Sequence, residues 1–411
     1  MLNKKYNDNN FWDFKGTYRT QLHTLGHYPA TMVPEMQLKL MKDWKKDSDE
    51  IMLDPFMGSG TSLVEAQKLG MKVIGIDLNP YAVLLSQVKT HNYSNINWNK
   101  IKLRIHKKLT SNRYNLPIHN FYKIEKWFRP DIIKSLSKVR NVIKSENDEW
   151  IRKFLWVCMS EVIYKHSNDR TSTFKLYQKT DNQIKKIVDN VIKNFEDTIE
   201  NKCIFLPAKE LPTSLIYSGD TKKICLQIPN ESIDIICTSP PYGENATTVT
   251  YGQSTILFLK WIDRKDLTCD NDEKLLSNFS SIDSLSLGGK NANENAYLSS
   301  TLEHFLSIIN KSKQKKVRRF VSDYWEVIKE LSRIIKKDGL IIFTIGNRII
   351  DNQMQPLDKL TIEMFEKNNI CLIQKISRHM LSRQTPQRVP KDNKKIKSMN
   401  KEQILVFRKE K

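Results

Sequence analysis

Two short segments of this chain carry residue types from which a reaction could be built. Asp54-Pro55-Phe56-Met57-Gly58-Ser59-Gly60-Thr61 follows a short apolar stretch, and Ser239-Pro240-Pro241-Tyr242 follows the run Ile233-Asp234-Ile235-Ile236-Cys237-Thr238. In the first segment, Gly58 and Gly60 sit where a strand must turn sharply and let backbone approach a ligand, which a residue without Cβ does at least cost. The phosphate-binding versions of such a turn do not fit. Walker A needs Lys after its last glycine, where Thr61 stands, and Leu63 occupies the third position of the dinucleotide fingerprint. A plain glycine turn remains the alternative. Asp77 ends the next apolar run, and an acid there suits the vicinal hydroxyls of a ribose; capping the helix that Asn79-Pro80 opens would serve equally. In the second segment two prolines fix backbone direction and present no competing N–H. A proline turn closing a strand is the alternative there.

Taken together, the two segments resemble the signature pair of the S-adenosylmethionine-dependent DNA amino-methyltransferases, which methylate an exocyclic nitrogen of a base. The resemblance covers roughly residues 20–90, 213–262 and 318–408. It implies that Asp54, with Pro55, Phe56, Gly58, Gly60 and Thr61, holds the cofactor, the acid facing the methionine ammonium. Asp77 and Leu78 would take the ribose, and Asp220 would lie near the adenine amino group. His27, Tyr28 and Pro29, in Gly26-His27-Tyr28-Pro29-Ala30, resemble the family's N-terminal cofactor motif. Catalysis would fall to Ser239, Pro240, Pro241 and Tyr242. An exocyclic amino nitrogen is a poor nucleophile because its lone pair is delocalised into the ring. Two acceptors, the Ser239 hydroxyl and the Pro240 carbonyl, would draw it toward tetrahedral geometry while Tyr242 stacks on the base. Positioning and electrostatics supply the rate, with no metal. The base must leave the duplex to reach such a pocket, so base flipping is implied. Ser in the first position of the tetrad is mostly found in cytosine-N4 enzymes, and Asp or Asn there in adenine-N6 enzymes. The implied function is a site-specific cytosine-N4 DNA methyltransferase of a restriction-modification system. Its partners would be double-stranded DNA and a companion restriction endonuclease. Adenine-N6 methylation is the nearest alternative; an RNA N-methyltransferase and a non-catalytic DNA-binding protein stand further off. The chain places its cofactor motif before its tetrad, whereas many Ser-Pro-Pro-Tyr enzymes have the permuted order.

Composition agrees with that reading without requiring it. The 411 residues carry 67 basic and 46 acidic side chains, a net charge of +21. Such an excess suits a polyanionic partner, although an A+T-rich genome enriches Lys, Asn and Ile together, and this chain is rich in all three. The six cysteines show no Cys-x-x-Cys spacing, so neither a zinc site nor a disulfide framework is expected. No Pro-Cys dipeptide occurs, which removes the usual setting of the thiolate in cytosine-C5 methylation. Neither a run long enough to cross a membrane nor a signal-peptide stretch is present, and the expected location is cytoplasmic.

The elements that must position these segments read as a doubly wound α/β sheet, Rossmann-like, with a helical insertion. Pro34 opens a helix. A strand at 51–53 runs into the glycine turn, a helix follows to Leu69, a strand spans 72–76, and Pro80 opens a further helix. From 97 the period becomes helical: Ile132, Leu136, Val139 and Ile143 recur on one face, as do Ile151, Leu155, Cys158 and Val162. Strands resume at Leu215 and at Ile233. Residues 263–297 are polar and read as a mobile loop or lid. A basic run, Lys311 to Arg319, leads into an amphipathic helix and the strand 340–345. Strands at 372–376 and 404–407 close the sheet around a basic stretch, Arg383 to Lys397. The organisation expected is a cofactor-binding half at 1–96 and a helical insertion at 97–212, a place for target recognition. The catalytic part follows at 213–262, a polar and basic segment at 263–317, and the rest of the sheet at 318–411. Gly346-Asn347-Arg348 could contact DNA, brace the Pro-Pro loop or form a plain turn. The loop at 170–175 is a further DNA-facing candidate, while Trp127-Phe128 reads as helix packing.

Overall fold

The structure, a computed structural model, describes residues 11–14, 21–46, 49–243, 249–268, 272–289, 292–379 and 401–410. The basic stretch 383–397 singled out above lies outside them. Seven strands form one sheet: β1 (Ile51–Asp54), β2 (Lys72–Asp77), β3 (Ser214–Ser218), β4 (Ile233–Thr238), β5 (Ile335–Ile345), β6 (Ile370–His379) and β7 (Lys401–Lys409). Their spatial order is β3-β2-β1-β4-β5-β7-β6. The first five run parallel, and β7 pairs antiparallel with both β5 and β6. The order departs in both directions from β1, the switch point at which doubly wound sheets bind ligands beyond their strand ends.

The helices used below are α1 (Pro34–Trp44), α2 (Thr61–Lys68), α3 (Pro80–Thr90), α4 (Trp98–Thr110), α5 (Pro130–Lys144), α6 (Glu149–His166), α7 (Val191–Cys203), α8 (Thr221–Cys225), α9 (Tyr251–Trp261), α10 (Ser281–Leu285), α11 (Ser300–Ser307), α12 (Lys311–Ile334) and α13 (Leu357–Glu366). Both faces of the central strands are buried, because successive side chains alternate between them. Met52, Ile235 and Ile342 join Met36 and Leu40 of α1 and Leu63 of α2 on one side. Leu53, Ile236 and Ile341 meet Phe320, Tyr324 and Leu331 of α12 and Phe365 of α13 on the other. That double burial explains why these strands read as continuous apolar runs.

Helices α4–α7 make up the insertion. Their apolar stripes, Ile101–Ile105–Leu109 on α4 and Ile132–Leu136–Val139–Ile143 on α5, share one core with Tyr81 and Leu85 of α3 and with Phe258 and Trp261 of α9. Asp148 caps α6 by accepting from the amides of Trp150 and Ile151 at 2.8 and 2.9 Å. Trp127 and Phe128 are buried there as packing residues.

Two expectations change in extent. The basic run is already helical, forming the first turns of α12, and part of its charge is paired: Arg318 with Glu303, and Lys315 and Arg319 with Glu294. The polar segment read as a mobile loop is partly built structure. It holds α10, whose Ile282 is buried, and Gly288 donates its amide to Asp323 of α12 at 2.9 Å. Its scattered apolar residues face inward, so a mean polarity hid the few contacts that fix it.

Candidate active site

The glycine turn joins β1 to α2. Gly58 and Gly60 adopt φ of +48° and +75°, a region costly for any residue with a side chain. Space is also short: a Cβ on Gly58 would lie 3.2 Å from the Tyr28 ring, and one on Gly60 2.7 Å from Ser86 Oγ. The buried ammonium of Lys89 holds the Ser59 carbonyl at 3.1 Å, so α3 fixes the turn from behind.

Asp77 ends β2 beside this turn. Its carboxylate accepts from the Gly58 amide at 2.9 Å and from the Asn79 amide at 2.8 Å. Burial outweighs those bonds and pushes its carboxyl up to about 6. The cap of α3 is Asn79, not Asp77: the Asn79 side chain accepts from the Tyr81 amide at 3.0 Å and donates to Thr255 at 2.9 Å. Asp220 closes β3 and caps the short α8 by accepting from the Lys222 amide at 3.1 Å.

One cleft gathers most of these groups. Its wall includes Tyr28, Ala30, Thr31 and Met32 from the N-terminal segment, and Phe56, Met57, Gly58, Ser59 and Thr61 from the turn. Asp77, Leu78, Asn79, Gly219 and Asp220 follow round, and then Ser239 and Pro241 of the tetrad. The remaining wall was not foreseen: Tyr251 at the start of α9, and Ile282, Leu285, Ser286 and Leu287 around α10. Tyr28 and Tyr251 stack at 5.7 Å, and Asp283 accepts from the Gly252 and Gln253 amides at 2.9 and 3.0 Å, tying α10 to α9. The aromatic at 251, nine residues past the tetrad, was the available signal for this wall.

Other expected residues stand around the cleft without lining it. His27 stacks on Tyr164 of α6, ring centroids 3.9 Å apart. Pro29 and Pro240 are buried. The Pro55 carbonyl accepts from Thr221 at 2.6 Å, fastening the turn to α8. Asp54 is fully buried behind the wall. Its carboxylate accepts from the Phe56 amide at 3.0 Å, from Thr238 Oγ1 at 2.6 Å and from Ser62 Oγ. Burial raises its carboxyl to about 6 against those three donors. Asp54 therefore ties β1 to the residue preceding Ser239 and to the first turn of α2. Tyr242 is half-buried, with its hydroxyl 3.1 Å from Ser239 Oγ. Gly243 packs under Arg348, so closely that a Cβ there would meet Nη1 at 2.2 Å, so the Arg348 side chain lies against the end of the tetrad loop.

The donor set fits S-adenosylmethionine. Two carboxylates face the cleft for hydroxyl and amino donors, apolar Met32, Phe56 and Leu78 line it, and the glycine turn leaves a cradle that a Cβ would narrow. Among the described residues no cluster of His, Cys, Asp or Glu is placed to hold a metal ion.

Comparison with known proteins converges on the same class. A DNA methylase family, the N6 and N4 methyltransferases, matches residues 1–88. Over 432 residues the chain is 29% identical to the type II methyltransferase M.MvaI of Kocuria varians, covering 96% of this chain and 92% of that protein. It is 21% identical over 463 residues to the type II methyltransferase M.MjaII of Methanocaldococcus jannaschii, covering 90% and 78%. A more distant likeness is to a candidate DNA modification methylase of Thermus thermophilus solved with S-adenosyl-L-methionine, 14% identical over 47% of this chain and 54% of that one, with a TM-score of 0.25. These similarities support an S-adenosylmethionine-dependent DNA amino-methyltransferase family for the chain.

Proposed function

We propose that this chain methylates the exocyclic N4 of a flipped-out cytosine in duplex DNA, as the modification enzyme of a type II restriction-modification system with a companion endonuclease. The observation that carries the reading is the shared cleft: Gly58, Asp77 and Asp220 line the same wall as Ser239 and Pro241. Cofactor and base can meet there without either motif moving.

Bound in this cleft, S-adenosylmethionine supplies an activated methyl group. Asp77 and Asp220 would hold it as acceptors for its hydroxyl and amino donors, and Tyr28 with residues 30–32 would form the adjoining wall. Ser239 Oγ and the Pro240 carbonyl accept the two amino hydrogens, which localises the nitrogen lone pair toward the methyl. Tyr242 stacks on the base. Serine at the head of the tetrad favours cytosine over adenine. In this reading the helical insertion reads sequence, which is supported by the Thr250 Oγ1 donation to the Phe174 carbonyl at 2.6 Å, a contact that brings the 169–178 loop to the start of α9. That loop carries exposed Phe174 and Tyr177, with Arg170 over the Tyr177 ring.

The test is incubation of the chain with methyl-tritiated cofactor and unmethylated duplex DNA or RNA, followed by digestion to nucleosides. Label in N4-methylcytosine is expected. Label in N6-methyladenine moves the assignment to adenine, and label on no polymer overturns it. Ser239→Ala should abolish most turnover while cofactor affinity changes little; equal loss of both would contradict the role given to Ser239.

A further inference from the structure

Tyr242 is held by its hydroxyl in a way that base stacking does not require. That hydroxyl donates to Glu402 Oε1 at 2.9 Å and lies 3.1 Å from Ser239 Oγ. Glu402 arrives from β7, at the far end of the chain from the glycine turn. Its other oxygen lies 3.4 Å from Nε of the buried Arg378 on β6. Burial and the Glu402 charge push the Tyr242 phenol well above its ordinary range, so it keeps its proton.

The direction of each bond in this chain of three follows from valence. An ionised carboxylate can only accept, so the single Tyr242 proton points to Glu402. With that proton committed, the Tyr242 oxygen can only accept from Ser239. The Ser239 proton therefore points at Tyr242, and what Ser239 presents to the cleft is lone pairs. A free serine hydroxyl has no such preference, since it donates or accepts with equal ease. An amino group offers hydrogens and needs an acceptor; a ring keto oxygen in the same place would meet lone pair against lone pair.

We propose that Glu402, acting through the Tyr242 hydroxyl, fixes Ser239 as an acceptor and so selects an amino over a keto group at the target position. Glu402 is a positioning residue in this account. It supplies by relay the one-way polarity that an acidic side chain at position 239 would have by itself. The inference rests on the proposed methylation of a base amino nitrogen and adds to it the group that orients the catalytic serine.

Four variants test it: Tyr242→Phe, Glu402→Leu, the double variant, and Glu402→Gln. Tyr242→Phe keeps the aromatic face and leaves the Arg378–Glu402 pair intact, so it guards against misfolding at β7. Single-turnover methyl transfer to unmethylated duplex DNA is measured at saturating cofactor, alongside cofactor affinity by calorimetry and the melting midpoint. Tyr242→Phe and Glu402→Leu should each slow methyl transfer roughly 10- to 100-fold, the scale of one charge-assisted hydrogen bond at the reacting group. Cofactor affinity should stay within about twofold for Tyr242→Phe, the fold-safe variant. The double variant should be no slower than the slower single, because both act through one chain of bonds. Glu402→Gln, whose amide oxygen still accepts from Tyr242, should restore the rate to within about threefold of wild type. A full rate in Tyr242→Phe, multiplicative losses in the double, or a Glu402→Gln rate as low as that of Glu402→Leu would each overturn the inference. A wild-type chain that labels no base amino nitrogen would instead overturn the proposed function, and this inference with it.

Discussion

Replacing Thr238 by Val probes the buried carboxylate that joins the two motifs. Asp54 is fully buried and takes three donors, of which Thr238 Oγ1, at 2.6 Å, is the one that reaches across to β4. Valine keeps the shape and removes that donor. A hydrogen bond to a charged group is worth about 1.5–3 kcal/mol. At roughly 1.2 °C per kcal/mol for a chain of 411 residues, the melting midpoint should fall by about 2–4 °C. The pH dependence has a definite sign. Burial holds the Asp54 carboxyl at about 6, and the Thr238 bond pulls against that rise. Without that bond the carboxyl of the variant sits higher still, so what Thr238 contributes through the ionised form is fully present only above the variant's own higher value and is lost as pH falls to about 6. At pH 5 the penalty should shrink toward the ~1 kcal/mol of a neutral hydrogen bond. Thermal or urea unfolding of both proteins at pH 8 and pH 5 reads the difference. A penalty independent of pH, or larger at pH 5, would refute the assignment of Asp54 as an ionised brace.

Other perturbations follow from the same geometry. Gly60→Ala forces a side chain into φ +75° and against Ser86 Oγ at 2.7 Å; it should cost about 2–4 kcal/mol and weaken cofactor binding, both measurable by unfolding and calorimetry. Gly243→Ala drives a methyl into the Arg348 guanidinium. Turnover should drop with cofactor affinity retained, and adding Arg348→Ala should recover part of the rate; no recovery would mean Arg348 does not brace the loop. Cofactor affinity should weaken as pH falls through about 6, where Asp77 protonates and loses acceptor capacity. Asp77→Asn should flatten that profile, and tighter binding by the wild type at pH 5 would count against the ribose role.

The parts legible from sequence were those encoded locally. The strands β1, β2 and β4 announce themselves as apolar runs because both of their faces are buried, and their ends carry the Asp54–Thr61 turn, Asp77 and Ser239. The stripe Ile132–Leu136–Val139–Ile143 reads as a helix for the same local reason. What stayed hidden depends on pairings across long separations. Glu402 is one polar residue on the flank of Ile404–Phe407, and nothing in its neighbours says that β7 lies beside β5. Asp54 sits in a motif, yet whether its carboxylate faces the cleft or turns back to Thr238 is decided by three-dimensional packing. Ile282 and Leu285 were lost in a polar average, though they are the residues that seat α10 on the cleft.

The arrangement also explains why a chain with its motifs about 180 residues apart builds one site. β1 and β4 are adjacent and parallel, with Met52 opposite Ile235 and Leu53 opposite Ile236. Parallel neighbours end at the same edge of a sheet, so the Gly58 turn and the Ser239 loop must emerge side by side. The residues between them can therefore be spent on an insertion without separating the two ends, provided the insertion leaves and returns on the far side of β2. Chain order becomes free under that constraint, since only the adjacency of β1 and β4 is needed. A break in their register would do more harm than the loss of any single cleft residue, because it would move the glycine turn and the tetrad relative to each other. The Thr238–Asp54 bond spans that strand pair at its ligand end, where such a slip would be felt first.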